Sequence, residues 1–98
     1  MVKVTVLYPS ADGTTFDIDY YRTTHAEIVH RVLKPERFEI DKGQDGQPFH
    51  ALGHLTWESA EAMQAGMGSS DAGEAMADIP NFYTGGQSPQ LQISDTIE

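Results

Sequence analysis

The sequence predicts an α+β protein, a ferredoxin-like βαββαβ chain with a four-stranded antiparallel sheet. Three observations support this class: short alternating segments typical of strands, two longer segments with apolar residues at helical spacing, and turn-forming residues between them. The 98 residues leave room for a single domain, which we expect to span 1–98. A domain of this size buries only about 60 to 65% of the surface that its unfolded chain exposes, so self-association would stabilise it.

The N-terminal third predicts one strand and one helix. Valines alternate with other residues over 2–7, which is the period of a strand, and turn residues at 9–13 end it. The helix is predicted to begin with Thr15 as its cap and to continue at helical spacing to Leu33, where Pro35 stops it. Aspartates early and basic residues late in this segment suit the helix dipole.

Two further strands are predicted over 38–41 and 49–57, joined by turn residues at 43–48. Because side chains alternate along a strand, Trp57 and His54 lie on opposite faces of the third strand. The face with Trp57 carries Phe49, Ala51, Gly53 and Leu55, and the face with His54 carries His50, Leu52 and Thr56.

The C-terminal half predicts a second helical region and a last strand. Helix is predicted from Ser59 through Met67, weakened at the glycines 66 and 68, and a second helical turn or two follow from Ser70 to Asp78, before Pro80 breaks the helix. Leu91 and Ile93 alternate with polar residues and predict the last strand. We expect three methionines of the helices to pack in the core: Met63, Met67 and Met76.

Two helices can cover only one face of such a sheet, so the other face is left open. We expect the valines of the first strand, Leu91 and Ile93 to face the helices. The open face then carries Thr5, His50, Leu52, His54, Gln90 and Gln92. This mixture is too apolar for an ordinary solvated surface and too polar for a dry interface. We therefore expect two such faces to pair in a homodimer around a cavity for a small organic molecule; the alternative is a plainly exposed face.

Composition excludes several classes of partner and site. Six Lys and Arg against fifteen Asp and Glu give a formal net charge of -9, which would repel nucleic acid and anionic membrane surfaces. The absence of cysteine excludes disulfides, thiolate metal sites and cysteine nucleophiles. No apolar run approaches the roughly 18 residues of a membrane span and no signal segment opens the chain, so we expect a cytoplasmic protein.

No pair of histidines has the spacing of a metal site. The backbones of His50 and His54 lie about 13 Å apart along a strand, too far for both side chains to reach one ion. His25 and His30 are separated by about 140° around a helix. We therefore expect no metal ion and no cofactor. A single-histidine haem ligand is the remaining alternative, although the chain has no specific haem motif.

Several stretches spread over nearly the whole chain resemble the EthD-like family, named for ethyl tert-butyl ether degradation. These stretches are 2–9, 15–21 with Thr24-His25, 53–55, 59–63, 76–81 and 92–94. The resemblance implies a dimeric α/β barrel, in which two ferredoxin-like subunits pack their open sheet faces together. Proteins with this barrel include monooxygenases, dehydratases, isomerases and haem enzymes, so the resemblance does not choose a reaction. The chain departs from the family after His25, where Ala26-Glu27 replace the usual Met-Pro.

His25 matches the histidine of this family and is the candidate catalytic residue. An imidazole that titrates near neutral pH can accept or donate a proton in an elimination, an isomerisation or an oxygenation. The alternative is a structural histidine that hydrogen-bonds a loop or the sheet. Tyr20 and Tyr21 point about 100° apart in a helix, and we assign Tyr20 to packing and Tyr21 to the pocket, as a donor to a ligand oxygen. Asp78 is a candidate partner for a histidine.

Two functions follow from these predictions. The first is a cofactor-free enzyme (an oxygenase, lyase or isomerase) acting on an oxygen-bearing organic compound, with His25 as acid or base, in the degradation context that the resemblance implies. The second is a non-catalytic accessory or carrier protein that binds a hydrophobic metabolite for a partner oxygenase. A dimeric module without a ligand is a third, less supported reading. The predicted ligand-binding or cavity-lining residues are Tyr21, His50, Leu52, His54, Gln90 and Gln92.

Overall fold

Six strands form in the computed structural model, which describes residues 1–97. They are β1 (Val2–Pro9), β2 (Thr15–Phe16), β3 (Arg37–Lys42), β4 (Phe49–Trp57), β5 (Tyr83–Thr84) and β6 (Gln90–Asp95). The four long strands form one antiparallel sheet in the order β3-β4-β1-β6, and β2 pairs with β5 as a separate two-stranded ribbon. The predicted α+β class and four-stranded antiparallel sheet are confirmed.

Helices connect the strands on one face of the sheet. Helix α1 consists of Ile18–Tyr20, a π-helical segment Tyr21–His25 and Ala26–Val32; α2 is Ala60–Met67; α3 is Ala72–Asp78, followed directly by a 3-10 helix, Ile79–Asn81. After α1, Lys34 takes a left-handed φ of 52° and Pro35 follows, so the helix ends where the sequence predicts. Within residues 1–97, no helix is both long and apolar enough to cross a membrane.

The predicted start of the first helix is wrong. Thr15 and Phe16 form β2, and the helix begins after Asp17, whose Oδ1 accepts a hydrogen bond from the Tyr20 backbone N–H at 3.1 Å. The reason is tertiary, because Phe16 pairs with Tyr83 across the ribbon. That pairing holds an extended backbone where helical spacing alone favoured a helix.

The main apolar core lies between the helices and the sheet. Trp57 is almost fully buried, and its indole N–H donates a hydrogen bond to the Leu33 carbonyl at 3.1 Å. The predicted placement of Leu55 and Trp57 on the helix side is confirmed. The buried members of this core are Val4, Val29, Val32, Leu33, Leu55, Trp57, Ala72 and Ala75.

A second core next to it is built from aromatic rings. Tyr8 and Tyr21 meet edge to face with ring centroids 5.3 Å apart, and Tyr8 meets Phe82 in the same way at 5.6 Å. The Tyr83 hydroxyl donates to the Pro9 carbonyl at 2.6 Å, which joins the β2–β5 ribbon to the end of β1. This cluster fixes the beginning of α1 against the sheet.

The edge strand β6 is only partly covered. Leu91 and Ile93 lie on the helix side as predicted, but they are 52% and 65% exposed. Met76 is 52% exposed as well, so its predicted core packing is wrong, whereas Met63 and Met67 pack against the main core. The helices therefore leave an apolar margin along β6.

Gly53 tests the close approach of α1 to β4. A Cβ at this position would collide with the Tyr21 hydroxyl, which lies against the Gly53 backbone. We expect Gly53→Ala to lower the free energy of unfolding by about 1 to 3 kcal/mol, the usual cost of overpacking a core. Urea denaturation measures this change.

Gly73→Ala in α3 is the matched control, because no atom lies within 4 Å of the Cβ it would add. Alanine favours a helix over glycine, so we expect its stability to be equal or higher. The double variant Gly53→Ala with Tyr21→Phe should recover part of the loss. Unchanged stability of Gly53→Ala would contradict the packing.

Candidate active site

His25 and Asp78 form a buried pair between α1 and α3. His25 Nδ1 lies 2.8 Å from Asp78 Oδ2, and the two residues are only 4% and 8% exposed. His25 ends the π-helical segment of α1, and Asp78 is the last residue of α3. The structure thus pairs the predicted catalytic histidine with the predicted carboxylate partner.

Two further donors hold the same carboxylate. The Tyr20 hydroxyl donates to Asp78 Oδ1 at 2.7 Å, and the Asn81 side-chain amide donates to the same oxygen at 2.9 Å. Burial opposes the charge on Asp78, but the hydrogen bonds from Asn81, His25 and Tyr20 outweigh it and hold the pKa of this carboxyl below its usual range. Asp78 is therefore ionised at neutral pH and can only accept hydrogen bonds.

This arrangement determines which nitrogen of His25 carries the proton. Burial lowers the pKa of His25 below the ordinary value for histidine, and its hydrogen bond to Asp78 offsets only part of this effect. The imidazole is therefore neutral at pH 7. Because Asp78 can only accept, the proton lies on Nδ1 and Nε2 carries the lone pair.

His25 lines a small cavity between the helices and the sheet. Nε2 has no hydrogen-bond partner within residues 1–97, yet it is not sealed from the surface. The cavity has a volume of about 40 Å³, and its other walls are mainly apolar. Those walls include Tyr21, Val29, Phe38 and Leu55. Nε2 is thus a free proton acceptor in apolar surroundings.

Aromatic contacts fix the orientation of the imidazole. Its ring stacks on Tyr21 at a centroid distance of 5.4 Å and an angle of 20°, and it lies 4.5 Å from the ring of Phe82. The π-helical segment makes this possible by placing one extra residue in the helical turn, a feature that recurs at functional sites. The imidazole cannot rotate away from Asp78 without losing this packing.

The predicted roles of the two adjacent tyrosines change in the structure. Tyr20 packs on Phe82, as expected for a packing residue, but its hydroxyl also binds Asp78. Tyr21 is buried in the aromatic core and lines the His25 cavity, and burial raises the pKa of its phenol above the ordinary value for tyrosine. Asp78 lies in the stretch 76–81 that resembles the EthD-like family, which is how it was predicted. No signal in the sequence marked Tyr20 or Asn81 as its donors.

The other predicted site residues lie elsewhere. His54 is on the open face, where its Nε2 lies 2.9 Å from Asp41 Oδ2 and its Nδ1 lies 3.3 Å from Thr5 Oγ1. Leu52 pairs across the strands with Leu7 on the same face. Gln90 and Gln92 lie on the β6 part of that face and are exposed. The sheet separates this group from His25, so the structure does not form the single pocket that the sequence analysis assumed.

His50 leaves that face as well. The register between β1 and β4 shifts after Tyr8, so His50 falls at a bulge and strand alternation no longer sets its direction. Its ring stacks on Phe16 at 5.9 Å, and its Nε2 lies 2.8 Å from Thr14 Oγ1. The predicted position of His50 beside His54 is therefore wrong.

The described residues offer no prepared metal site. Within residues 1–97, no group of three or more His, Cys, Asp or Glu side chains could hold an ion. A haem does not fit the His25 cavity either, because about 40 Å³ is far below the roughly 300 Å³ at which small-molecule pockets begin.

Comparison with known proteins identifies relatives of this chain. No family model matches the chain. A protein of Rhodococcus erythropolis, described as an uncharacterized 11.0 kDa protein in the thcB-thcC intergenic region, is 35% identical over 103 residues, which cover 99% of this chain and 98% of that protein. The crystal structure of an EthD-like protein from Ralstonia eutropha is 31% identical with a TM-score of 0.79, and the match covers 96% of this chain and 89% of that one.

More distant structures share the fold. An EthD family protein from Bacillus halodurans is 19% identical with a TM-score of 0.76, and 99% of each chain is covered. A protein of unknown function from Bacteroides fragilis, described as dimeric with a ferredoxin-like fold, is 9% identical with a TM-score of 0.62, covering 97% of this chain and 95% of that one. Given the full-length match at 31% identity and the shared ferredoxin-like fold, this chain belongs to the EthD-like family.

Proposed function

We propose that the protein is a cofactor-free enzyme that transfers a proton on a small oxygen-bearing organic molecule, with His25 as the acid and base. One observation carries this proposal: a buried imidazole that lines an apolar cavity is oriented by a carboxylate through Nδ1, and its Nε2 has no hydrogen-bond partner within residues 1–97. An oriented base with a free lone pair is the arrangement required for general base catalysis.

The residues of the cavity divide the work of such a reaction. Nε2 of His25 accepts a proton from a carbon next to a carbonyl, and the charge of Asp78 stabilises the imidazolium that forms. Tyr21 keeps its phenolic proton at neutral pH. Its hydroxyl packs against Gly53 and Tyr8, so its role is to form a wall of the cavity and to hold the imidazole by stacking. The imidazolium then returns the proton to another atom in an isomerisation, or to a leaving group in an elimination.

Charge disfavours anionic substrates, and the apolar walls of the cavity disfavour cations. Asp78 is ionised beside the cavity, and the chain carries a formal net charge of -9. Both oppose the approach of a carboxylate or phosphate. Within the family context of ether degradation, we propose uncharged ketones, lactones and phenols as the candidate substrates.

Carriage of a hydrophobic metabolite for a partner oxygenase is the second candidate. The apolar walls of the cavity favour it, since such walls bind any small apolar molecule. In that case the ligand would bind without exchanging a proton with His25. Proton exchange between the ligand and His25 is therefore the event that distinguishes an enzyme from a carrier.

We also propose that the open sheet face mediates a homodimer. Leu7 and Leu52 lie side by side there, between the His54–Asp41 pair and the glutamines of β6. A protein of the same fold is described as dimeric. Pairing two such faces would remove both leucines from water and enclose the polar groups around them.

Substitution of His25 tests the catalytic proposal. A panel of ketones, lactones and phenols is screened for thermal stabilisation, and the compounds that bind are followed by NMR for deuterium incorporation in D₂O. We expect His25→Gln to slow the exchange at least about a hundredfold, the lower end of the contribution of a general base. Asp78→Asn should also slow it, because the amide no longer selects the Nδ1–H tautomer.

His30→Gln is the matched control, since His30 is exposed on the same helix and does not line the cavity. Its exchange rate should equal that of the wild type. Equal exchange in His25→Gln would refute the assignment of the base. If the wild type binds a compound without any deuterium exchange, the proposed enzyme activity is refuted and the carrier function is supported.

The protonation state of His25 predicts how stability changes with pH. Its folded pKa is lowered by burial. Between this value and the unfolded pKa of about 6.5, the unfolded chain therefore binds the proton more readily than the folded chain. We expect the contribution of His25 to the free energy of unfolding to be complete above pH 6.5 and to fall as the pH drops below it. Urea denaturation at fixed protein concentration between pH 5 and 8 measures this change.

Comparison with variants isolates the histidine. The His25→Gln variant should lose stability less steeply than the wild type below pH 6.5, and His30→Gln should follow the wild type. A wild type that gains stability through His25 on acidification would show a charged pair with Asp78 instead. That outcome would contradict the neutral base.

The mass in solution tests the homodimer. Light scattering at micromolar concentration should give twice the chain mass of 10.8 kDa. Leu52→Glu should yield monomers, because it places two like charges between the paired faces. Ala77→Glu, an equal change of charge on the exposed surface of α3, should remain dimeric. A monomeric wild type would contradict the proposed interface.

A further inference from the structure

An open groove runs along β6 beside the His25 cavity. It has a volume of about 330 Å³, which lies within the range of small-molecule pockets. Three of its wall residues, Val4, Met67 and Leu91, also line the His25 cavity. The remaining wall residues are Met63, Gln64, Gly68 and Ile93. Cavity and groove therefore share a wall and lie next to one another on the helix side of the sheet.

The groove is suited to an apolar guest. Gln64 has the only polar side chain in its wall. Leu91 and Ile93 are more than half exposed, so a guest covering them would remove apolar surface from water. Methionine side chains on the opposite wall are unbranched and can adjust to guests of different shape.

The two compartments differ in chemistry and in size. The cavity is lined by His25, which carries a polar group, but its 40 Å³ hold only a few water-sized groups. The groove offers almost no hydrogen-bonding group and is much larger. A molecule that fills both has one small polar end and a longer apolar part.

We propose that the groove binds the apolar tail of the substrate, and that the substrate is an uncharged carbonyl compound whose polar end enters the His25 cavity. The assignment of the polar end rests on the proposed function. Leu91 and Ile93 are two strand residues apart, so a tail that covers both extends roughly 7 Å along β6. An unbranched alkyl chain satisfies this requirement, whereas a second polar group in the tail would lose its hydration without gaining a partner.

A series of methyl ketones tests the groove directly. Butanone, hexan-2-one, octan-2-one and decan-2-one are titrated into protein labelled at the methionine methyl groups, which give four NMR signals. The signals of Met63 and Met67 should shift, and that of Met1 should not. Affinity should rise about fourfold for each methylene, the gain expected from burying one CH₂, until the groove is filled. Octanoate should bind more weakly than octan-2-one because of its charge.

Ile93→Gln is the informative variant, because this exposed position tolerates a polar side chain without disturbing the core. This substitution should weaken the binding of decan-2-one at least about fivefold and leave the affinity for butanone unchanged. Ala77→Gln, on the exposed surface of α3 and outside the groove, is the control and should bind the whole series like the wild type.

The outcomes separate the groove from the catalytic proposal. The tail site is refuted if ketone affinity does not depend on chain length, or if Ile93→Gln binds decan-2-one as tightly as the wild type does. This holds even if deuterium exchange depends on His25. Binding that increases with chain length but gives no exchange in the wild type supports the groove and overturns the enzyme. If Ile93→Gln turns a dimer into a monomer and the ketones do not bind, the margin of β6 is a protein interface and the tail site is refuted.

Discussion

The buried carboxylate of Asp78 is the constraint on which the candidate site depends. A charge in this position is stable only while hydrogen bonds replace the water that it has lost. Its donors come from two elements: Tyr20 and His25 from α1, and Asn81 from the 3-10 helix. The need to satisfy one carboxylate therefore sets the relative position of α1 and the end of α3, and with it the orientation of His25.

Other contacts between the same helices contribute less. Arg31 of α1 also pairs with Glu74 of α3, but both side chains are about half exposed to water. Ion pairs of this kind are screened by water and salt, and their usual contribution to stability is below about 1 kcal/mol. The surface pair can support the packing of the helices, but it cannot define the tautomer or the tilt of an imidazole. The buried network does both, and so it links folding to the chemistry of the site.

The sequence predicted most of the fold because each long element carries its own period. The alternation along 49–57 separates Trp57 from His54, and the structure keeps them on opposite faces. The elements that depend on distant partners were not predictable in this way. Thr15 belongs to a two-residue strand that exists only because β5 pairs with it, and His50 is turned by a bulge whose cause lies in the register with β1. The exposure of Met76 depends likewise on how far the helices reach across the sheet.

The candidate site shows the same division. Resemblance identified His25 and Asp78, and the structure brings them together. It could not tell whether His25 points into the interior or to solvent, because the π-helical segment changes the rotation of α1 and the helical spacing in the sequence does not reveal such a change. Tyr20 is invisible for another reason, because a hydrogen bond over 58 residues leaves no local pattern. Asn81 lies only three residues from Asp78, but an aspartate and an asparagine at this spacing do not by themselves predict a hydrogen bond.

Strand β1 lies at the centre of the sheet, and its alternation has an evolutionary consequence. Val4 belongs to the wall of the ligand groove, whereas Thr5, the next residue, contacts His54 on the face proposed for assembly. Substitutions at neighbouring positions of one strand would therefore alter different proposed surfaces, the groove or the assembly face. Relatives can change what they bind through one set of positions and how they assemble through the other, and neither change requires a new backbone. Such independence offers a physical reason why one small barrel can serve many reactions.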